Sequence, residues 1–232
     1  MLKFRARITI LVVFWVSLFP SIVREALAQL PQDPSNLEQL IVYELNRARN
    51  KPARFGRENA IPVDLTYAAP SSPLAVNNGL VGSASFHAEE MATFNYFAHQ
   101  SAVTGDWPNK MARDHGYPLP GFYPDAANNI ESIAAGTFID TASEALALLI
   151  EDAGVVPPGH RNQLLALLSF FQTHREIGAG YAFNNSANFK NYFAIHTAVR
   201  DSGGINFLLA SFTRILTETA DTILAKGWVA CP

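Results

Sequence analysis

The chain has 232 residues, of which 49% are hydrophobic and 16% are charged, and it carries a formal net charge of −3. This length suits one domain with a sizeable core, and the apolar content excludes an intrinsically disordered chain. A single cysteine, Cys231, excludes a scaffold held by intrachain disulfides. The chain has no basic excess, which argues against a nucleic-acid partner.

The first 28 residues have the pattern of a secretory signal peptide. An apolar run at 8–23 follows three basic side chains, and Ala26-Leu27-Ala28 offers the small-x-small pattern that signal peptidase cleaves. The run is shorter than the ~20 residues that span a bilayer, so no stable membrane span is expected after cleavage. The sequence therefore predicts a secreted protein, either extracellular or held at the cell surface or in the periplasm. An uncleaved anchor is the alternative, because Arg24 and Glu25 lie close to the cleavage site.

A helix is predicted at the start of the mature chain. After a lead-in at 29–36, the capping box Ser35-Asn36-Leu37-Glu38 starts this helix, and Lys51-Pro52 ends it. The segment 52–78 is rich in Pro, Asn and Ser, which predicts a loop.

Helical patterns continue through the middle of the chain. A second helix is predicted from about Gly79 to Ala98, and a loop follows over 100–129, in which 109–115 could form one or two helical turns. Another capping box, Thr141-Ala142-Ser143-Glu144, starts a further helix, and a short helix is predicted from His160 to about Leu168.

Two strands are predicted near the end of this region. The segments 176–183 and 191–199 are β-prone and flank Asn184-Asn185-Ser186, a pattern typical of a hairpin. Helices precede antiparallel strands along the chain, which indicates an α+β fold rather than a wound parallel sheet.

Three polar side chains are candidate functional residues because of their positions in the predicted elements. His99 ends a helix, and His160 begins one on a tight glycine turn. Glu131 is the one carboxylate in an apolar run at 130–136, where an unpaired charge is costly. The spacing of these residues leaves open whether they meet in space.

The other histidines are interpreted as structural. His87 begins only half of an H-E-x-x-H zinc motif, because Met91 stands at the second histidine position, and we expect a buried, hydrogen-bonded imidazole. His196 alternates with alanines in the last strand, so a packed, hydrogen-bonded role is expected. His174 and Arg175 precede a strand and are predicted to lie at the surface.

Ordered motifs run through residues 37–200. They are, in chain order, Tyr43 to Arg49, His87 with Met91, Phe97-Ala98-His99, Lys110 to Tyr117, Glu131 to Gly136, Gly159-His160-Arg161, Glu176 to Ala182 and the strand around Tyr192. This order resembles the CAP superfamily (cysteine-rich secretory, antigen 5 and pathogenesis-related-1 proteins, or SCP-like domains), in its bacterial, disulfide-free branch. The resemblance implies an α-β-α sandwich with a central antiparallel sheet and an open cleft.

The resemblance also implies a metal site. In family members two histidines and two acids line the cleft and can bind a divalent metal, often zinc. His99 and His160 match the histidines, and Glu131 matches the first acid. Asp152 is the best match to the second acid, and Glu151 is the alternative. Imidazoles and carboxylates are good ligands for Zn2+ or another divalent cation, and an incomplete protein shell would leave room for water.

The site departs from the family pattern at three positions. Ile130 and Ser132 replace the glycine and asparagine that flank the family's first acid, and Leu149 replaces a tryptophan often found before the second. A purely structural role for His99 and Glu131 therefore remains an alternative.

The predicted function is ligand binding in this cleft, with a lipid or sterol as the class linked to the family, and with a divalent metal. One alternative is a metal-dependent hydrolase or protease that uses His99, His160 and an acid as general base, although no nucleophile or oxyanion motif is visible. The other alternative is an extracellular adhesion module with a vestigial site.

The tail at 201–232 has two interpretations. The resemblance ends near Gly204, and apolar residues from Leu208 to Ile223 could form an amphipathic helix. Alternatively, a shifted reading frame from Leu209 onward can encode a string typical of calcium-binding loops, so a frameshift could have produced an out-of-frame end.

Overall fold

The computed structural model describes residues 36–201. The helices are α1 (Asn36–Asn50), α2 (Pro52–Glu58), α3 (Asn78–Phe94), α4 (Pro108–Asp114), α5 (Ala142–Glu151) and α6 (Gly159–Leu164). The strands are β1 (Ala75–Val76), β2 (Glu131–Gly136), β3 (Glu176–Phe183) and β4 (Asn191–Ala198), and a 3-10 turn spans Phe171–Thr173. The chain divides into two units after Arg200, and these elements belong to the first.

Some sequence predictions fall outside the described residues. The signal peptide at 1–28, the cap residue Ser35 and nearly all of the tail at 201–232 are among them. Within residues 36–201, no helix is both long enough and apolar enough to cross a membrane.

The four strands form one sheet in the order β1-β3-β4-β2. The hairpin β3–β4 and the pair β4–β2 are antiparallel, as predicted, whereas β1 lies parallel to β3. The sheet is therefore mixed at one edge. Its register places Glu131 of β2 opposite His196 of β4.

Helices cover both faces of the sheet. Side chains alternate along β4, so Phe193 and Ile195 pack in one core with α1 and α5, while Tyr192 and Ala194 pack in another with α3. Because both faces are covered, β4 is buried along its whole length. The predicted α+β class and α-β-α layering are confirmed.

Helix α3 lies unusually close to the sheet because β3 carries glycines beneath it. A Cβ on Gly178 would lie 2.0 Å from the carbonyl carbon of Leu80, and one on Gly180 would lie 2.2 Å from that of Ala84. The helix begins after the Asn77 cap and ends at Phe94, because the C-cap residue Asn95 adopts the left-handed conformation. This approach brings the buried face of α3 into contact with the side chains of β2 and β4.

Helix bounds differ from the predictions near proline and left-handed residues. The predicted loop at 52–78 contains α2, because Pro52 starts a new helix at a position where a missing N–H costs nothing. The second predicted helix ends at Phe94 rather than Ala98, since Asn95 breaks it. The short helix from Gly159 ends at Leu164 rather than Leu168.

The prediction that His174 lies at the surface is wrong. Its side chain is fully buried, with Nδ1 2.9 Å from Thr197 Oγ1 and Nε2 3.3 Å from the Tyr123 hydroxyl. Burial, together with the charges of Arg49 and Arg175, lowers the pKa of His174 to about 3. Its position before a strand gave no indication that Tyr123 from a distant loop would cover it together with Phe170 and Phe171.

Candidate metal and ligand cleft

His99 and His160 line one cleft of about 380 Å³. Their ring centroids lie 6.3 Å apart. The remaining lining residues are Asn128, Asn129, Glu131, Val155, Gly159, Gln163, Phe170 and Phe171. Two imidazoles that are 61 positions apart in the sequence are therefore neighbours in the fold.

Glu131 orients the His99 ring. His99 follows the left-handed end of α3, and its Nδ1 lies 2.7 Å from Glu131 Oε1. The Asn128 side chain supports this corner, since its Oδ1 accepts a hydrogen bond from the backbone N–H of Glu131 (2.9 Å) and its Nδ2 donates to the Glu131 carbonyl (3.0 Å). The loop before β2 therefore fixes the backbone of Glu131.

Asp152 orients the His160 ring in the same way. Asp152 ends α5 in the left-handed conformation, with φ of 51°, and its Oδ1 lies 2.7 Å from His160 Nδ1. Its other oxygen accepts the backbone N–H groups of His160 (3.0 Å) and Arg161 (3.3 Å) at the start of α6. The alternative acid, Glu151, contributes a backbone carbonyl that accepts from the Arg161 guanidinium.

These contacts determine which ring nitrogens of His99 and His160 are available to bind a metal ion. A carboxylate can only accept, so the contacts with Glu131 and Asp152 favour donation from Nδ1 of His99 and of His160. The amide Nδ2 of Asn128 also lies 3.0 Å from His99 Nδ1. Within residues 36–201, Nε2 of neither ring has a hydrogen-bond partner, and a neutral imidazole with a donating Nδ1 carries its lone pair there. Glu131 and Asp152 contact the rings in this structure through Nδ1, which is the position of an orienting partner in metal sites.

Glu131 is also held by two histidines that the sequence interpretation set aside. Its Oε2 lies 2.9 Å from Nε2 of His196 and is hydrogen-bonded to Nδ1 of His87. All three side chains are fully buried. The expectation that His87 and His196 are buried and hydrogen-bonded agrees with this geometry, but their common partner was missed.

The electrostatics of this cluster favour an ionised carboxylate. Burial alone would raise the pKa of Glu131, but the His87 charge and hydrogen bonds from His196, His87 and His99 outweigh it and hold the pKa well below its usual value. For His87, burial by itself would lower the pKa. The charges of Glu131 and Glu90 and the hydrogen bond to Glu131 outweigh burial and raise it. Burial dominates for His196 and lowers its pKa. These directions favour the protonated form of His87 beside Glu131 and the neutral form of His196.

His87, Glu131 and His196 form a group that could hold a metal ion. One ligand atom from each lies within 4.8 Å of the others. In the structure, however, both ring nitrogens meet the same oxygen, Oε2, at hydrogen-bonding distance. Two N–H donors converge on one oxygen here, so an ion bound by the three ligand atoms would have to replace the ring protons that these hydrogen bonds use.

One wall of the cleft is apolar. Val155, Phe170 and Phe171 line it, and Val155 remains 43% exposed. The Phe170 ring lies 5.4 Å from that of Tyr123, on which the 71% exposed Phe122 stacks at 4.6 Å. The cleft therefore joins polar imidazoles to the partly exposed rings of Phe170 and Phe171, behind which lies the buried Tyr123.

No protein-family model matches this chain, and no curated protein matches it. Among solved structures, it is similar to an extracellular protein containing an SCP domain from Bacillus anthracis str. Ames, with 18% identity and a TM-score of 0.39. The match covers 75% of this chain and 49% of that one, so the chain spans about half the length of the neighbour.

Proposed function

We propose that this chain is a secreted CAP-type domain whose cleft binds a divalent cation of the zinc class through Nε2 of His99 and Nε2 of His160. The observation that carries the proposal is the shared geometry of the two rings. They lie 6.3 Å apart in one cleft, and each donates Nδ1–H to a carboxylate. A histidine that binds a metal through one ring nitrogen almost always donates a hydrogen bond from its other ring N–H in this way.

The donor set fits a borderline cation. Zinc binds imidazole nitrogen at about 2.0–2.1 Å and accepts water or a ligand where the protein shell is incomplete. An ion bound there would acidify a water or polarise a carbonyl group. His99 and His160 would hold the ion, while Glu131 and Asp152 would keep their rings in the required tautomer and orientation.

The apolar wall supports a ligand with an apolar part, such as a lipid chain. Phe170 and Phe171 stand beside the imidazoles, so a polar group of the ligand can lie at the histidines while its apolar part packs on the rings. A Phe171→Ser variant should bind a fluorescent long-chain acyl probe less tightly than the wild type. Phe138→Ser is the matched control, because Phe138 is 89% exposed and lies outside the cleft lining.

Calorimetric zinc titration of the purified protein tests the metal site. Replacing both His99 and His160 with alanine should abolish binding to the cleft. His115→Ala is the control, because it removes an exposed imidazole outside the cleft and should leave the affinity unchanged. Equal zinc affinity in the wild type and the double variant would refute the proposal.

A further inference from the structure

Two buried histidines converge on the carboxylate that orients His99. Oε1 of Glu131 meets Nδ1 of His99, while Oε2 receives His87 Nδ1 and His196 Nε2. An ionised carboxylate offers about four lone-pair sites, so all three imidazoles can donate to it at once. The orientation of the Glu131 side chain therefore depends on donors that never reach the cleft.

His196 is itself held in place from two directions. Its position in β4 is directly opposite Glu131 in the antiparallel ladder, which brings the two side chains to the same face of the sheet. Its Nδ1 lies 2.8 Å from the Ser83 hydroxyl on α3. Because the Glu131 carboxylate can only accept, Nε2 of His196 carries the proton that is donated to it. The Ser83 hydroxyl also lies 3.1 Å from the Leu80 carbonyl oxygen, to which it can donate.

A second buried acid lies on the far side of His87, beyond hydrogen-bond distance, and within residues 36–201 Nε2 of His87 has no hydrogen-bond partner. Its Nε2 lies 3.6 Å from Glu90 Oε1 one turn along α3. Hydroxyl groups of Ser101 (2.8 Å) and Tyr96 in turn donate to the Glu90 carboxylate. These hydroxyl groups hold the Glu90 carboxylate beside His87, whose Nδ1 is hydrogen-bonded to Glu131.

We propose that His87 and His196 are positioning residues for the cleft. They hold Glu131 so that Oε1 accepts the Nδ1 proton of His99, which leaves Nε2 of His99 with a free lone pair. The inference rests on the proposed metal site, and it adds the two residues that set the tautomer of one metal ligand, His99. Without these donors, the Glu131 side chain loses two of its three imidazole partners, and the His99 ring is no longer confined to one tautomer.

Two pairs of variants separate hydrogen bonding from packing. His87→Asn keeps an amide N–H near the position of Nδ1, and His196→Gln keeps one near that of Nε2. His87→Leu and His196→Leu fill similar space without a donor. The first measurement is the tautomer of His99 by 15N NMR of the metal-free protein, and the second is zinc affinity by calorimetry.

The wild type should show His99 protonated on Nδ1. Each leucine variant should give a mixed or reversed tautomer and weaken zinc binding about 10- to 100-fold, the range found for lost outer-shell partners. The Asn and Gln variants should largely restore both properties. Equal losses in the leucine variants and in the donor-retaining variants would assign the effect to packing and overturn the inference.

Failure of this inference is distinguishable from failure of the proposed function. If the wild type binds no zinc, the proposed function fails, while the His99 tautomer still tests the positioning role. Protonation of His99 on Nε2 in the wild type would overturn the inference even if a leucine variant failed to fold. Zinc that remains bound after both cleft histidines are replaced, and that is lost in His87→Leu, would place a metal in the buried group and also overturn it.

Discussion

The buried ion pair between Glu131 and His87 predicts a strong and pH-dependent effect of Glu131→Gln. The Glu131 carboxylate is fully buried and accepts hydrogen bonds from three imidazoles. A neutral amide has one accepting oxygen, and its NH2 group would oppose ring N–H donors. Removing one partner of a buried pair typically costs about 3–5 kcal/mol, because the remaining charge is left uncompensated.

The pH dependence follows from the directions of the two pKa shifts. The raised pKa of His87 contributes stability that is fully present below its ordinary pKa of 6.5 and is lost as the pH rises through the folded value. The lowered pKa of Glu131 contributes stability that is present above its ordinary pKa of 4.5 and is lost as the pH falls through the folded value. Both contributions are therefore complete between these two pH values.

Urea unfolding followed by circular dichroism should show this dependence. At about pH 5.5 we expect Glu131→Gln to lower the free energy of unfolding by about 3–5 kcal/mol. Above the folded pKa of His87 the loss should shrink toward about 2 kcal/mol, because only hydrogen bonds to a charged acceptor remain to be lost. Glu89→Gln is the control: Glu89 is exposed on the same helix, and its loss should stay within about 0.5 kcal/mol. A loss below about 1 kcal/mol for Glu131→Gln at both pH values would refute the reasoning.

Three further predictions concern the cleft, the core and acid stability. Asp152→Asn should weaken zinc binding about tenfold in calorimetry, because the amide accepts more weakly from His160; unchanged affinity would contradict the orienting role. Gly178→Ala should lower the free energy of unfolding by about 3 kcal/mol, since its Cβ would meet the α3 backbone, whereas Gly121→Ala, with open space, should not. His174 has a folded pKa of about 3, so it should remove about 1.4 kcal/mol per pH unit as the pH falls from 6.5 toward 3. His174→Gln should flatten that part of the stability curve, and an unaltered curve would exclude His174 as its source.

The helices and the hairpin were predictable because their signals are local. The capping box at Thr141 and Glu144 is confirmed. It was predictable because its hydrogen bonds join residues only three positions apart. The hairpin strands were predicted within one residue at each end, because β-prone segments flank a turn sequence. Strand β2 was missed: its run at 131–136 is apolar and short, and pairing with β4, some 60 residues later, makes it a strand.

Part of the site was also visible in the sequence. The positions of His99, His160, Glu131 and Asp152 were selected from motif order. The fold brings the first three to one cleft and places Asp152 in hydrogen-bond contact with His160. The carboxylate of Glu131 inside an apolar run signalled that partners were required. Nothing in the local sequence of His87 or His196 identified them as those partners, because they lie 44 and 65 residues away from it.

The sequence by itself determined the helical segments, the hairpin, the apolar faces and the presence of a buried acid that needs compensation. Only the tertiary structure decided which imidazoles surround that acid, and that Glu131 and Asp152 contact ring Nδ1 atoms. The physical reason is the separation along the chain of the residues that interact. Caps and periodicity act within a few residues, whereas the close packing of α3 on glycines of β3 and the register of β2 with β4 set contacts across most of the domain.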